Sequence, residues 1–191
     1  VSPLLANIYL HEVLDIWFER EVRPRLHGQA HMVRYADDAV LIFETEEDAR
    51  RVLAVLAKRF EKFGLTLHPE KTRLVPFGRP PKDGPGNTGT FDFLGFTHHW
   101  AKSQNGNWVI KRKTAADRFT RGLLRIAQWC RANRHEPLKV QQHGLNQKLR
   151  GHYQYYGTTG NSPALGRFKH EVQSIWQKWL ARRSQRGCTW Q

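Results

Sequence analysis

The sequence predicts an α+β fold: an antiparallel sheet backed by helices over residues 1–110, followed by an all-helical bundle over 111–191. Three observations carry this prediction. In the first part, helical apolar spacing alternates with short strand-like runs separated by turn residues. Beyond Lys111 the spacing is helical throughout. Charge divides at the same place: residues 1–110 hold 14 Lys plus Arg against 14 Asp plus Glu, and residues 111–191 hold 17 against 3.

Leu5, Ile8, Tyr9, Val13, Ile16 and Trp17 recur at helical spacing to about residue 21, and the Arg23-Pro24 step ends the run. Ser2 as cap and Pro3 in the first turn start this helix at once. Val1-Ser2-Pro3 opens without Met and reads as the cut edge of a longer protein. Met32, Val33 and Tyr35, then Val40 to Phe43, form the arms of a hairpin whose turn is predicted to hold both Asp37 and Asp38. Thr45 followed by Glu46, Glu47 and Asp48 makes an acidic first turn, and the apolar face from Ala49 to Phe63 ends at Gly64.

Short strands are predicted at Leu65–Leu67 and Thr72–Phe77 around a His68-Pro69-Glu70-Lys71 turn, then an exposed Gly- and Pro-rich loop over 78–90. Phe91–Thr97 and Trp108–Ile110 should form a two-strand ribbon, with Asn105-Gly106 as its turn. One sheet backed by two helices follows for this part. Helices are predicted over 113–132, 139–156 and 162–183, the last capped by Asn161-Ser162-Pro163 and burying Phe168, Val172, Ile175, Trp176 and Trp179.

At 191 residues and 39% hydrophobic, the chain can bury a sizeable core. Cys130 and Cys188 are too few for a disulfide framework or a cysteine-rich zinc site, and fit a reducing, cytosolic-type setting. His98 and His99 are adjacent in a strand, point to opposite faces and form no zinc cluster. No stretch is long and apolar enough for a membrane span, and no secretory signal is visible. The formal charge of +14, all of it in the second part, points to a polyanionic partner. Arg118, Arg121, Arg125, Arg131, Lys148 and Arg150 are the candidate nucleic-acid-binding residues.

Asp37 and Asp38 are the candidate catalytic residues. Adjacent carboxylates repel unless a cation neutralises them, and hard oxygen ligands suit Mg²⁺, which shares its shell with substrate phosphates. An aspartate at a hairpin turn is also ordinary turn chemistry, so the pair alone leaves both readings open.

Four ordered motifs narrow the choice: Ser2-Pro3-Leu4-Leu5-Ala6-Asn7-Ile8-Tyr9-Leu10, Tyr35-Ala36-Asp37-Asp38, Leu67-His68-Pro69-Glu70-Lys71-Thr72 and Phe93-Leu94-Gly95-Phe96. Together they closely resemble the palm of group II intron reverse transcriptases. Gly151-His152-Tyr153-Gln154-Tyr155-Tyr156-Gly157 and the helix after it resemble that family's thumb, the maturase or X region.

The resemblance implies an RNA-directed DNA polymerase acting on an RNA template and a DNA primer with deoxynucleoside triphosphates, and, in many members, folding of the intron RNA. It implies that Asp37 ligates two Mg²⁺ ions with Asp38 assisting, and that Tyr35 and Ala36 lie under the primer end. Ser2, Pro3 and Asn7 would form the nucleotide pocket, Lys71 would sit near the active centre, and Leu94 and Gly95 would belong to the primer grip. The family's further catalytic carboxylate lies upstream of the Ser-Pro-Leu motif. Asp15, on a helix, lacks the strand context to replace it. The 191 residues alone are therefore expected to bind RNA but polymerise poorly. Two other readings share much of this pattern: a splicing cofactor without polymerase activity, and a CRISPR-linked or defence reverse transcriptase. Ser184–Gln191 is too short for an HNH-type nuclease. Oligomeric state is not readable from the sequence.

Overall fold

The computed structural model describes residues 3–82 and 88–183. The cap at Ser2, the centre of the 78–90 loop and the Ser184–Gln191 segment with Cys188 lie outside the described residues. The fold is α+β, with two small antiparallel sheets and five α-helices. The chain forms two compact units, Val1–Gly78 and Arg79–Gln191.

In the first unit, helix α1 (Pro3–Leu10) runs on into π-helical turns over His11–Ile16 and Phe18–Val22 and a 3₁₀ turn at Arg23–Arg25. This changes the buried face. A π-turn adds residues to each revolution, and the buried set is Val13, Leu14, Trp17, Phe18 and Val22, at four- to five-residue intervals. Leu5, Ile8 and Tyr9, predicted to line the same face, are exposed. The Val13 carbonyl accepts a hydrogen bond from Arg59 Nε at 3.2 Å.

Strands β1 (Ala30–Tyr35) and β2 (Asp38–Phe43) form the hairpin, with Tyr35 opposite Asp38 and Ala30 opposite Phe43. Ala30, Met32, Leu41 and Phe43 turn towards Trp17, Phe18, Val52 and Leu56, whereas Val33, Tyr35 and Ile42 are exposed. Val33 and Tyr35 thus lie on the opposite face from Met32, as period-2 alternation requires. Helix α2 (Glu46–Lys62) matches the sequence reading, and its Thr45 cap accepts the Asp48 N–H at 3.3 Å. Residues 65–68 and 72–77 form no strands; the turn between them closes with Thr72 N–H donating to the His68 carbonyl at 2.9 Å. The expected single sheet is therefore two separate sheets, one in each unit.

In the second unit, β3 (Phe91–Phe93), β4 (Phe96–Lys102) and β5 (Trp108–Thr114) form a three-stranded meander rather than a two-strand ribbon. A tight turn at Leu94-Gly95, both with positive φ (50° and 77°), splits the predicted Phe91–Thr97 strand in two. Helices α3 (Ala116–Ala132), α4 (Leu138–Tyr156) and α5 (Ser162–Ala181) enclose a core of Ile126, Cys130, Leu145, Phe168 and Val172. The Trp129 ring would meet a Cβ at Gly144 at 2.6 Å, so only glycine permits this approach of α3 to α4.

The ribbon, grouped by sequence with residues 1–110, packs with the helices instead. Phe96 stacks on Tyr155, with ring centres 5.9 Å apart, and meets Tyr156 edge-on at 5.3 Å. The sequence predicts a cap from Asn161, but its side chain makes no cap hydrogen bond to α5; it bonds instead to Thr114 and to the Tyr156 carbonyl.

Candidate functional site

The hairpin turn consists of Ala36 and Asp37 alone; Asp38 is the first residue of β2, directly across from Tyr35. The prediction that both acids occupy the turn is corrected by one position. Ala36 has φ +54°, a left-handed conformation that costs an L-residue with a Cβ roughly 1–2 kcal/mol. Strain of this kind persists only where surrounding contacts over-determine it.

Those contacts come from Arg34. Its Nη1 donates to the Ala36 carbonyl at 2.8 Å and to Asn7 Oδ1 at 3.0 Å. Its Nε and Nη2 donate to the two carboxylate oxygens of Asp15 at 2.7 and 2.6 Å, a bidentate fork. The hydrogen bond from Arg34 holds the Asp15 carboxyl below the usual carboxylate range and in turn raises the guanidinium. His11 Nδ1 lies 3.2 Å from Asp15 Oδ2. Both Asp15 oxygens thus have hydrogen-bond partners.

The structure thereby joins Asn7, Tyr35, Ala36, Asp37 and Asp38 in one region of the first unit. Pro3 lies on the same helix, one turn before Asn7. Lys71 is exposed on the 68–72 turn, and no hydrogen bond ties it to the hairpin. Leu94 and Gly95 lie in the second unit, where Tyr155 Oη donates to the Leu94 carbonyl at 3.0 Å and the Tyr156 hydroxyl oxygen would meet a Cβ at Gly95 at 3.1 Å.

The six basic residues are divided between α3 and α4. Arg118, Arg121 and Arg125 fall within about 60° of arc on α3, Arg131 sits about 120° round from Arg125, and Lys148 and Arg150 lie about 160° apart on α4. Arg118 and Arg121 both pair with Asp117, and the Lys148 ammonium lies 5.4 Å from the centre of the Trp129 ring. Arg150 lines an open groove between α4 and α5 with Tyr153, Gln154 and Lys169. His152 stacks on Phe168 at 3.7 Å, so of the His152, Tyr153, Tyr155 and Tyr156 group only Tyr153 faces this groove.

The Asp37 and Asp38 side chains are exposed and take part in no ion pair or side-chain hydrogen bond among the described residues. As a donor set they fit a hard cation that keeps most of its shell for phosphate and water, which is how Mg²⁺ usually binds. Among the described residues no group of three or more His, Cys, Asp or Glu gathers around them. Arg34 had no assigned role in the sequence reading. Its signal was present: alternation places an ionisable side chain on the inner face of the hairpin, where it requires a partner.

Adjacent free carboxylates at the end of a hairpin suit metal-assisted phosphoryl transfer. Residues 1–98 match the family described as reverse transcriptase (RNA-dependent DNA polymerase), and the chain belongs to that family. No curated protein sequence matches it. Among the described residues no helix is long and apolar enough to cross a membrane.

Proposed function

We propose that the chain is the lower palm and thumb of a group II intron reverse transcriptase and maturase, extending a DNA primer on an RNA template. The observation that carries this reading is the unpartnered Asp37–Asp38 pair, at the tip of a strained turn and the first position of β2. Bound there, two Mg²⁺ ions would supply Lewis-acid stabilisation of the triphosphate and activation of the primer 3′-hydroxyl.

The chain's own residues have the following parts. Asp37 presents its carboxylate at the turn tip, and Asp38 flanks it on β2. Tyr35 and Ala36 support the primer end, Pro3 and Asn7 line the nucleotide pocket, and Lys71 lies near the active centre. Leu94 and Gly95 belong to the primer grip. A further carboxylate from a preceding palm strand completes the ligand set. The second unit, with 20 Lys plus Arg against 5 Asp plus Glu and hence a formal +15, binds the nucleic-acid backbone, including the intron RNA. That charge also supports a second reading, a splicing cofactor that binds intron RNA without polymerising. A cytoplasmic, bacterial setting accompanies either.

The test is Mg²⁺-dependent primer extension on an RNA template. It compares this chain alone, the chain joined to a fingers and upper-palm segment, and the joined form carrying Asp37→Asn. Extension by the joined, unsubstituted form alone supports the polymerase. A joined form that folds and binds RNA tightly but does not extend favours the splicing cofactor.

A further inference from the structure

We propose that Arg34 is a positioning residue that fixes the direction of the Asp37 carboxylate and couples it to Asn7. The proposal rests on reading Asp37 and Asp38 as metal ligands. Four hydrogen bonds from a single guanidinium support it. Two lock the Arg34 side chain to Asp15 on the π-helical run, one reaches Asn7 on α1, and one holds the carbonyl of Ala36, the left-handed residue immediately before Asp37.

The chemistry of the group matters. A guanidinium only donates, so Asn7 must present its amide oxygen to Arg34, and its amide nitrogen is left as a donor for a ligand. The fork is rigid and planar, so it can grip both oxygens of Asp15 and still aim a third N–H at the turn. Lysine carries the same charge but cannot reproduce that geometry. The Arg34 side chain is 13% exposed and that of Asp15 23%, so the pair is screened less than a surface ion pair. Any change in the Asn7 contact is transmitted to the Ala36 carbonyl through the same Nη1.

Charge and positioning predict opposite signs. Arg34 is a cation near a cation site, so removing its charge alone should tighten metal binding. Losing its positioning should weaken binding, roughly tenfold, at the lower end of the range for groups that orient metal ligands. The experiment is a Mn²⁺ titration of the full 191-residue chain, following paramagnetic broadening of the backbone amides from Tyr35 to Ala39. It compares the unsubstituted chain, Arg34→Ala, Arg34→Lys and Asp37→Asn, with thermal unfolding measured on each.

Roughly tenfold weaker binding in both Arg34 variants, with the amide spectrum of α2 unchanged, is the expected result. Equal or tighter binding by Arg34→Ala, or unchanged binding by Arg34→Lys, overturns the proposal. If Arg34→Ala does not fold, Arg34→Lys decides alone. Mn²⁺ binding that survives Asp37→Asn, or is absent from the unsubstituted chain, defeats the ligand reading instead. The positioning claim is then judged from the order parameters of the Ala36 and Asp37 amides. These should fall from rigid values towards about 0.6 in the Arg34 variants, and unchanged values would overturn it.

Discussion

Asn161 Oδ1 accepts the backbone N–H of Thr114 at 2.9 Å, and Asn161 Nδ2 donates to the Thr114 hydroxyl at 2.9 Å. The same Nδ2 donates to the Tyr156 carbonyl at 2.8 Å, and the residue is fully buried. One side chain thus joins the last strand, the end of α4 and the start of α5. Asn161→Ala leaves the Thr114 N–H and the Tyr156 carbonyl without their partner, at a cost of about 3 kcal/mol. Asn161→Asp retains the acceptor but cannot donate to Tyr156, and should also destabilise. Denaturant midpoints of the second unit's transition check both.

Acid should unfold the first unit through Asp48. This buried carboxylate accepts the N–H groups of His27 and Gly28, both at 3.0 Å, and the Thr45 hydroxyl. The Gly28 bond leads in holding its carboxyl below the usual range, against the opposing effect of burial. A folded value below the unfolded one gives stability that is complete above the unfolded value of about 4 and disappears as pH falls through the folded value. Asp48→Asn should melt lower at neutral pH and lose the steep acid limb. An acid limb identical to that of the unsubstituted chain would rule Asp48 out as its source.

His152 gives the second unit a different pH dependence. Burial beside Phe168 lowers its affinity for a proton, and its Nε2 is buried without a partner. His98, also lowered chiefly by burial, acts in the same direction. The unfolded chain takes up these protons first, so stability is complete above about pH 6.5 and declines as pH falls towards the folded values. His152→Phe should shorten that decline in melts recorded between pH 7.5 and 5.

Ala36→Gly should raise the melting temperature of the first unit. Glycine adopts φ +54° without the Cβ penalty, a gain of up to about 1–2 kcal/mol, reduced by the larger entropy that glycine loses on folding. The net change should be about +0.5 kcal/mol or less, with a more mobile turn in relaxation measurements.

Arg118, Arg121 and Arg125 share an exposed face of α3, away from the buried Ile126 and Cys130. Replacing all three with Gln should weaken RNA binding and reduce the slope of log affinity against log salt by about 2, since each phosphate contact contributes roughly 0.7–0.9. Arg131→Gln alone should alter the slope by less than about 1. Equal effects would place the nucleic-acid surface elsewhere.

Much of this was legible in the sequence because it is local. Thr45 before three acids fixes the start of α2, Asn105-Gly106 marks the β4–β5 turn, and the Asp37–Asp38 box stands out between strand-like runs. What was missed depends on partners distant in sequence. The π-turns over His11–Ile16 and Phe18–Val22, where Phe18 is buried, are not visible in the spacing. Asn161 resembles a helix cap until Thr114, 47 positions away, is beside it. The left-handed Leu94 is unexpected for a leucine and is stabilised by Tyr155, 61 positions on. The assignment of Lys71 gained no structural neighbour that links it to the hairpin.

The β1–β2 hairpin is a ribbon of only two strands, so among the described residues one backbone edge of each strand has no ladder partner. Beside those edges lie Val33, Tyr35 and Ile42, each at least half exposed. A ribbon with open edges and an apolar face can template a strand from any extended chain. Colloidal behaviour of the purified protein is therefore expected to depend on concentration through this element, and a proline or lysine at an edge position of β1 is the substitution that should keep it monodisperse.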